Sequence, residues 1–207
     1  MNQGASYAFF DFDGTLSFHD SFHDFLVFCH GYSRVIWGGM MLGPWLVAYL
    51  LGIISNHRAK ERVFRYFFSR MPLSVLQEKA ELFARNHLPK IVRPEALARL
   101  QWHIDEGHHV FIVSASPEIY LIPWAENLGA STIATKIMTK MGVATGRFAS
   151  LNCFGPEKVR RINEEVVLQK SDYLYAYGDS RGDREMLAMA DEGYFKPFRE
   201  PVLKSMG

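Results

Sequence analysis

The stretch FFDFDGTL, residues 9–16, joins an aromatic run to two aspartates and a Gly-Thr pair. Short apolar runs of this kind are typical of buried strands. Asp11 and Asp13 are two residues apart, so we expect both carboxylates to point the same way where the strand ends. A buried carboxylate is costly unless it binds a metal or shares a proton. The stretch therefore predicts a strand that ends in a chemical site.

Apolar runs that end in small or acidic residues recur along the chain, at 7–12, 109–115, 131–135 and 173–179. Helical patterns that begin at a proline separate the later runs, at 94–106, 117–128 and 156–168. Strands that alternate with helices predict an α/β fold with a doubly wound parallel sheet. Two short pieces around Gly142, within 136–150, predict a β-hairpin beside the site.

Residues 17–90 do not follow this rhythm, because they are rich in aromatic residues and in helical periodicity. We interpret them as an all-helical cap inserted after the first strand, above the carboxyl edge of the sheet. The predicted domains are therefore a catalytic core, formed by residues 1–16 and 91–207, and a cap formed by residues 17–90.

Residues 35–54 of the cap carry no charge and by length alone could cross a bilayer. The candidate site residue Asp11 precedes this segment, whereas Lys158 and Asp179 follow it, so a single crossing would separate residues that must meet. Two interpretations stay open. The segment is a helical hairpin of the cap core, bent near Gly43-Pro44, or it lies in a membrane interface and admits a lipid phosphate.

The composition indicates which kinds of binding partner and which cellular compartment to expect. The 207 residues include 23 basic and 22 acidic ones, a net charge of +1, which predicts no nucleic-acid partner. Two unclustered cysteines, Cys29 and Cys153, favour a reducing compartment. We therefore expect a cytoplasmic protein, with residues 35–54 as the candidate for peripheral membrane contact.

Four short motifs occur in order along the chain, namely DFDGT (11–15), IVSAS (112–116), GPEKVRRI (155–162) and GDSRGD (178–183). Together they resemble the haloacid dehalogenase superfamily of aspartate-nucleophile phosphohydrolases. The lysine-to-GD spacing and the long insertion after the first motif look most like the phosphoserine-phosphatase-like branch, subfamily IB. One departure is Gly182, which stands where relatives often carry asparagine.

The resemblance implies a role for each motif residue. Asp11 would be the nucleophile and a Mg²⁺ ligand, with Asp179 and the main-chain carbonyl of Asp13 as further ligands. The carboxyl group of Asp13 would protonate the leaving alcohol and later activate water. Ser114 would hydrogen-bond a phosphoryl oxygen, and Lys158 would stabilise the transition-state charge. Asp183 would orient either the water ligands of the metal or Lys158.

The predicted function is Mg²⁺-dependent hydrolysis of a small phosphorylated metabolite such as phosphoserine. By resemblance, Asp20 and Arg62 match approximately the positions that hold the amine and the carboxylate of phosphoserine. A lipid phosphate phosphatase, similar to a phosphatidylglycerophosphatase, and a non-catalytic phospho-acceptor module are the alternatives. Phosphonate hydrolysis would need a cap lysine, for which Lys60 is available, and a dehalogenase would not need Asp13.

Overall fold

The computed structural model describes residues 4–199. Its strands are, in chain order, β1 Ser6–Phe10, β2 His109–Pro117, β3 Ser131–Thr135, β4 Ile137–Lys140, β5 Val143–Phe148, β6 Tyr173–Gly178 and β7 Glu192–Phe195. Five of them form a parallel sheet in the spatial order β3-β2-β1-β6-β7. This arrangement confirms the predicted α/β fold. The sequence pattern did not indicate β7, since its four residues are half polar and too short to show a period.

The helices alternate with these strands outside the insertion. They are α1 Ser21–His30, α2 Tyr32–Leu50, α3 Asn56–Phe68, α4 Leu73–Asn86, α5 Leu88–Ile91, α6 Pro94–Asp105, α7 Glu118–Glu126, α8 Pro156–Glu165 and α9 Arg184–Met189. Both faces of β1 are covered, because Phe10 belongs to the core cluster of α6 and α7 and Phe9 to that of α8 and α9. Burial on both faces explains why this strand is a continuous apolar run.

The insertion leaves the core and returns to it at one point. The N–H of Phe18 donates to the carbonyl of Ile91 at 2.8 Å, and the N–H of Arg93 donates to the carbonyl of Leu16 at 2.7 Å. These bonds hold the two ends of the insertion side by side. Its buried residues, among them Phe25, Phe64 and Phe83, belong to the same core cluster as Phe10 of β1.

The hairpin predicted around Gly142 is present as β4 and β5. Met141 and Gly142 connect its strands, and both have positive φ, 50° and 75°, as a two-residue hairpin turn of the primed type requires. The N–H of Leu73 donates to the carbonyl of Gly142, and the N–H of Arg70 to that of Ala144, each at 2.8 Å. The hairpin therefore packs against the insertion as well as the core.

The predicted bend near Gly43-Pro44 is wrong, because α2 continues through Pro44 to Leu50. Proline removes one helical hydrogen bond, to the carbonyl of Met40, but this side of α2 faces solvent and water can donate there instead. The chain turns after α2, where Gly52 has a φ of 72°. There the N–H of Ile53 donates to the carbonyl of Ala48 at 2.8 Å, which closes a Schellman motif. Among residues 4–199, no helix combines the length and apolarity needed to cross a membrane.

Candidate active site

The first motif forms a tight turn directly after β1. The N–H of Asp11 donates to the carbonyl of Tyr177 at 2.9 Å, which ties the end of β1 to that of β6. Gly14 has a φ of 83°, and a Cβ on this residue would lie 2.5 Å from Oδ2 of Asp179. A side chain at position 14 would therefore collide with the second aspartate of the site. Glycine here lets the carboxyl groups of Asp11 and Asp179 approach each other.

Lys158 lies at the centre of a buried charge cluster. Its Nζ donates to Oδ1 of Asp11 and to Oδ1 of Asp183, both at 2.6 Å, and to the carbonyl of Val113 at 2.7 Å. Lys158 and Asp183 are 1% exposed and Asp11 is 6% exposed. All three ammonium protons thus have acceptors, which is the condition for keeping such a charge inside a protein.

Asp183 holds both Lys158 and the loop before α9. Its Oδ2 accepts from the N–H of Asp179 at 3.2 Å, and from the N–H and the hydroxyl of Ser180 at 2.9 and 2.8 Å. Burial acts to raise the pKa of Asp183, but the Lys158 ammonium and these hydrogen bonds outweigh it and lower the pKa. Both oxygens are thus already bonded, so Asp183 is suited to positioning its neighbours.

The carboxyl group of Asp13 sits in a separate hydrogen-bond network. Its Oδ1 accepts from the N–H of Ser21 at 2.7 Å, and its Oδ2 accepts from the hydroxyl of Ser116 at 2.5 Å. Burial and the nearby Asp20 raise the pKa of Asp13, although Lys60 and the two serines oppose the shift. A raised pKa favours the protonated form, which is the form that can give a proton to a leaving group.

Burial raises the pKa of Asp11 to about 7, and Lys158 partly offsets this effect. Burial acts to lower the pKa of Lys158, yet the Asp11 and Asp183 carboxylates reverse the direction and raise it. Lys158 is therefore a permanent positive charge at the site, held beside the proposed nucleophile.

Three carboxylates could surround a cation at this edge. Asp11, Asp179 and Asp183 each offer an oxygen, and these oxygens lie within 4.8 Å of one another. The all-oxygen donor set fits a hard divalent cation such as Mg²⁺. Asp11 also accepts from Lys158 and from the Thr15 hydroxyl, and Asp179 is ion-paired to Arg199. Asp11 and Asp179 stay the predicted ligands. The main-chain carbonyl of Asp13 stays a prediction as the third.

A cavity of about 160 Å³ opens onto these groups. Its walls come from both core and cap: Asp11, Asp13, Asp20, Asn56, Lys60, Ala115, Phe154, Lys158, Ser180 and Asp183. The cavity is smaller than the few hundred Å³ of typical ligand pockets, so it has room for a phosphoryl group and few further atoms.

The structure brings Asp20 to this cavity, where its side chain also caps α1 by accepting from the N–H of His23 at 2.9 Å. It does not bring Arg62 there. The Arg62 guanidinium lies 4.6 Å from the centre of the Trp45 ring, in a groove against α2. Lys60 faces the cavity instead. Arg62 is two residues further along α3, which places it about 200° around the helix axis from Lys60. The structure thus does not place Arg62 at the cavity wall, and its contact with a substrate stays a prediction.

Ser114 is fully buried within β2, and its Oγ accepts from the N–H of Ser116 at 3.0 Å. It is not among the residues that line the cavity, so its contact with a phosphoryl oxygen stays a prediction. Sequence reasoning missed Ser116 and Asn56, and it named Lys60 only as the lysine available for phosphonate hydrolysis. The Ser-Ala-Ser spacing could have indicated Ser116, since alternate strand residues share a face. Nothing in the cap sequence indicated which face of α3 would meet the core.

Gly182 has a packing role. A Cβ at this position would lie 2.3 Å from the Phe154 ring, and the N–H of Gly155 donates to the carbonyl of Gly182 at 2.9 Å. The loop that carries Asp183 is thus packed against Phe154, and a side chain at position 182 would require this ring to move.

Residues 8–188 match the family model of the haloacid dehalogenase-like hydrolases. Protein CicA of Caulobacter vibrioides (strain NA1000 / CB15N) is 36% identical over 192 residues, covering 92% of this chain and 85% of that protein. The crystal structure of a protein with unknown function from Bordetella pertussis Tohama I has a TM-score of 0.76 at 23% identity, with coverage of 90% and 87%. A substrate-bound phosphoserine phosphatase has a TM-score of 0.59 at 15% identity, with coverage of 91% and 84%. The two structures show the shared fold, and the family match confirms the resemblance inferred from the motifs.

Proposed function

The chain belongs to the haloacid dehalogenase-like hydrolases, and we propose that it is a Mg²⁺-dependent phosphatase that cleaves phosphate monoesters through an aspartyl phosphate. The observation that carries this proposal is the pairing of two aspartates in different environments. Burial raises the pKa of both carboxyl groups, but Asp11 is ion-paired to Lys158 at 2.6 Å, whereas Asp13 accepts hydrogen bonds from Ser21 and Ser116. The Lys158 ammonium favours the ionised form of Asp11, and Asp13, with serine partners in place of an ion pair, keeps a proton more readily.

In the first half-reaction the Asp11 carboxylate attacks phosphorus and the ester P–O bond breaks. Asp13 gives its proton to the departing alcohol oxygen, so the products are an alcohol and an aspartyl phosphate. Lys158 stabilises the negative charge that gathers on the phosphoryl oxygens. Bound Mg²⁺ would screen the charge between the carboxylate and the phosphate.

In the second half-reaction water attacks the phosphorus of the aspartyl phosphate. Asp13, now ionised, accepts the proton of that water, and the acyl phosphate bond breaks to release phosphate and free Asp11. Ser21 and Ser116 hold the Asp13 carboxyl in one orientation through both steps. An acid-base group so placed shortens the life of the phosphoenzyme, which argues against a non-catalytic phospho-acceptor module.

The substrate that we propose is a small phosphorylated metabolite, for which phosphoserine remains the example. The small cavity and the presence of Asp20 and Lys60 at its wall support a compact substrate with charged groups. The fold similarity to phosphoserine phosphatases is consistent with it. Since Arg62 lies elsewhere, Lys60 is the cap cation placed to meet a substrate carboxylate.

We also propose that the enzyme works in the cytoplasm. Cys29 and Cys153 are both free thiols in the structure, and burial raises the pKa of each. Cys153 is buried and Cys29 is partly buried, and thiols with raised pKa values are chemically quiet, which fits a reducing compartment.

The test is hydrolysis of p-nitrophenyl phosphate by the wild-type chain and by Asp11→Asn. The wild type should require Mg²⁺, lose activity on chelation and recover it when Mg²⁺ is restored. It should also form a phosphoenzyme that acid quenching traps and hydroxylamine cleaves. Asp11→Asn should lose both turnover and phosphoenzyme.

The matched control is Asp105→Asn, which changes an exposed aspartate of α6 in the same way and should keep wild-type activity. Undiminished turnover after exhaustive chelation would contradict the metal assignment. Phosphoenzyme formation by Asp11→Asn would contradict the assignment of the nucleophile.

A further inference from the structure

The solvent side of α2 and of the turn after it is apolar. The exposed fraction is 64% for both Trp37 and Met41, and it reaches 79% for Leu50. Further exposed apolar residues follow the same helical surface or the turn: Ile36, Met40, Val47, Leu51 and Ile53. A contiguous apolar surface of this length is unusual on a soluble monomer and marks a contact with something else.

Packing against the rest of the chain does not account for this surface. Within α2 the buried residues are Gly38 and Leu42. A Cβ on Gly38 would lie 2.3 Å from Cζ of Phe67, so α2 approaches α3 closely along one narrow line. The opposite side of α2 therefore points away from the protein.

Basic residues surround this apolar surface. Between residues 31 and 72 the chain has six lysines and arginines and one acidic residue, Glu61, although the whole chain has a net charge of only +1. Arg34 and Arg58 are exposed near the two ends of the apolar segment. Arg62 lies over the Trp45 ring, and Glu61 is 3.7 Å from Arg65. Four of the six, Arg34, Arg58, Arg62 and Arg65, thus lie on or near the apolar segment, whereas Lys60 faces the cavity.

Apolar side chains, tryptophans and a basic margin are the features of a helix that lies in the plane of an anionic lipid surface. A second copy of the chain would also cover apolar residues, but it would bring two basic margins together. Electrostatic attraction therefore favours anionic lipid over self-association.

We propose that the exposed face of α2 and the turn at Leu51–Ile53 bind the surface of an anionic lipid bilayer without crossing it. The turn leads directly to Asn56, which lines the catalytic cavity and accepts from Asn152 at 2.5 Å. Leu151 and Phe154, on either side of Asn152, are 58% and 40% exposed. Binding through α2 would thus hold the mouth of the cavity close to the lipid headgroups.

The test is co-flotation of the purified full chain with vesicles of phosphatidylcholine alone or mixed with phosphatidylglycerol. The chain should float with the mixed vesicles, bind pure phosphatidylcholine weakly, and dissociate as ionic strength rises. The variant Trp37→Ser/Met41→Ser should reduce the partition coefficient by about tenfold or more, since two large apolar side chains no longer enter the lipid. Its thermal midpoint should not fall, because neither side chain is buried.

The matched control is Val167→Ser/Phe195→Ser, which removes two exposed apolar side chains that lie outside the insertion. Val167 is 88% exposed and Phe195 is 59% exposed, and this variant should bind vesicles like the wild type. Equal binding to neutral and anionic vesicles would overturn the proposal. The proposal would also be overturned, in favour of self-association, by a different pair of results. In that case the wild type would not float with vesicles and would sediment as a dimer, whereas the Trp37→Ser/Met41→Ser variant would sediment as a monomer. The binding assay needs no turnover, so its outcome is independent of the proposed phosphatase activity.

Discussion

The carboxyl edge of the sheet and the outer face of α2 depart from the usual distribution of side chains in opposite directions. At the sheet edge, Lys158 and Asp183 are ionisable and almost fully buried, whereas on α2 Trp37 and Met41 are apolar and 64% exposed. Buried charge and exposed apolar area both cost free energy in an isolated protein. The comparison teaches that each cost is offset by an interaction: ion pairs within the chain at the edge, and by our proposal a lipid surface at α2.

The largest effect expected from breaking this contrast comes from Lys158→Met, which leaves Asp11 and Asp183 buried without a positive partner. Turnover of p-nitrophenyl phosphate should fall by about 10²–10³. The free energy of unfolding, measured in urea, should fall by about 3–5 kcal/mol at neutral pH.

This loss should be smaller in acid. Without Lys158 the pKa of Asp11 rises further above its unfolded value, so the folded state binds more protons and is destabilised as pH increases. Urea unfolding at pH 5 and pH 8 measures the difference. Lys170→Met, at an exposed position, is the control and should unfold like the wild type. An equal loss at both pH values would mean that the cluster is not held by charge.

The second largest effect is expected within α2, where two neighbouring glycines differ in their packing against α3. Gly38→Ala places a Cβ 2.3 Å from Phe67 and should lower the free energy of unfolding by about 1–3 kcal/mol. Gly39→Ala meets no atom within 4 Å and should raise it by about 0.5–1 kcal/mol, because alanine is the better helix former. Calorimetry measures the change in stability of each variant. Shifts of the same sign would contradict the one-sided packing of α2 on α3.

The smallest effect is expected on α3, where one face meets the cavity and another meets α2. Lys60→Ala should raise the KM for phosphoserine about tenfold, the value of one lost hydrogen bond to a charged group, with little change in kcat. Arg62→Ala should leave the KM for this soluble substrate unchanged, since Arg62 lies on Trp45. Steady-state kinetics on both variants shows which of the two residues contributes to substrate binding. A larger effect from Arg62→Ala would restore the original expectation for that residue.

The sheet and the chemical edge were predictable because they depend on local patterns. Asp11, Ser114 and Asp179 each follow a short apolar run, and parallel strands necessarily bring their carboxyl ends to one edge. Lys158 follows Gly155 and Pro156, the start of a helix, which fixes it near the same edge. The structure accordingly places Lys158 against Asp11 and Asp183.

The cap was less predictable, because its outcome depends on contacts between elements. Gly43-Pro44 is a reasonable breaking point for a helix on local grounds, yet α2 continues because solvent replaces the lost hydrogen bond. The sequence did not indicate that Arg62 would lie outside the cavity, because no local pattern says which side of α3 faces the core. Ser116 acquired its role only because β2 brings it within 2.5 Å of Asp13.

The sequence by itself thus determined the α/β fold, the order of the four motifs and the identity of the charged residues, since these follow from short-range periodicity and strand direction. Only the tertiary structure decided that Lys60 enters the cavity and Arg62 does not, and that α2 packs by one narrow line and exposes the rest of its apolar surface. The physical reason is that a helix presents residues all around its axis, so burial of one side is fixed by neighbours that are distant in the chain.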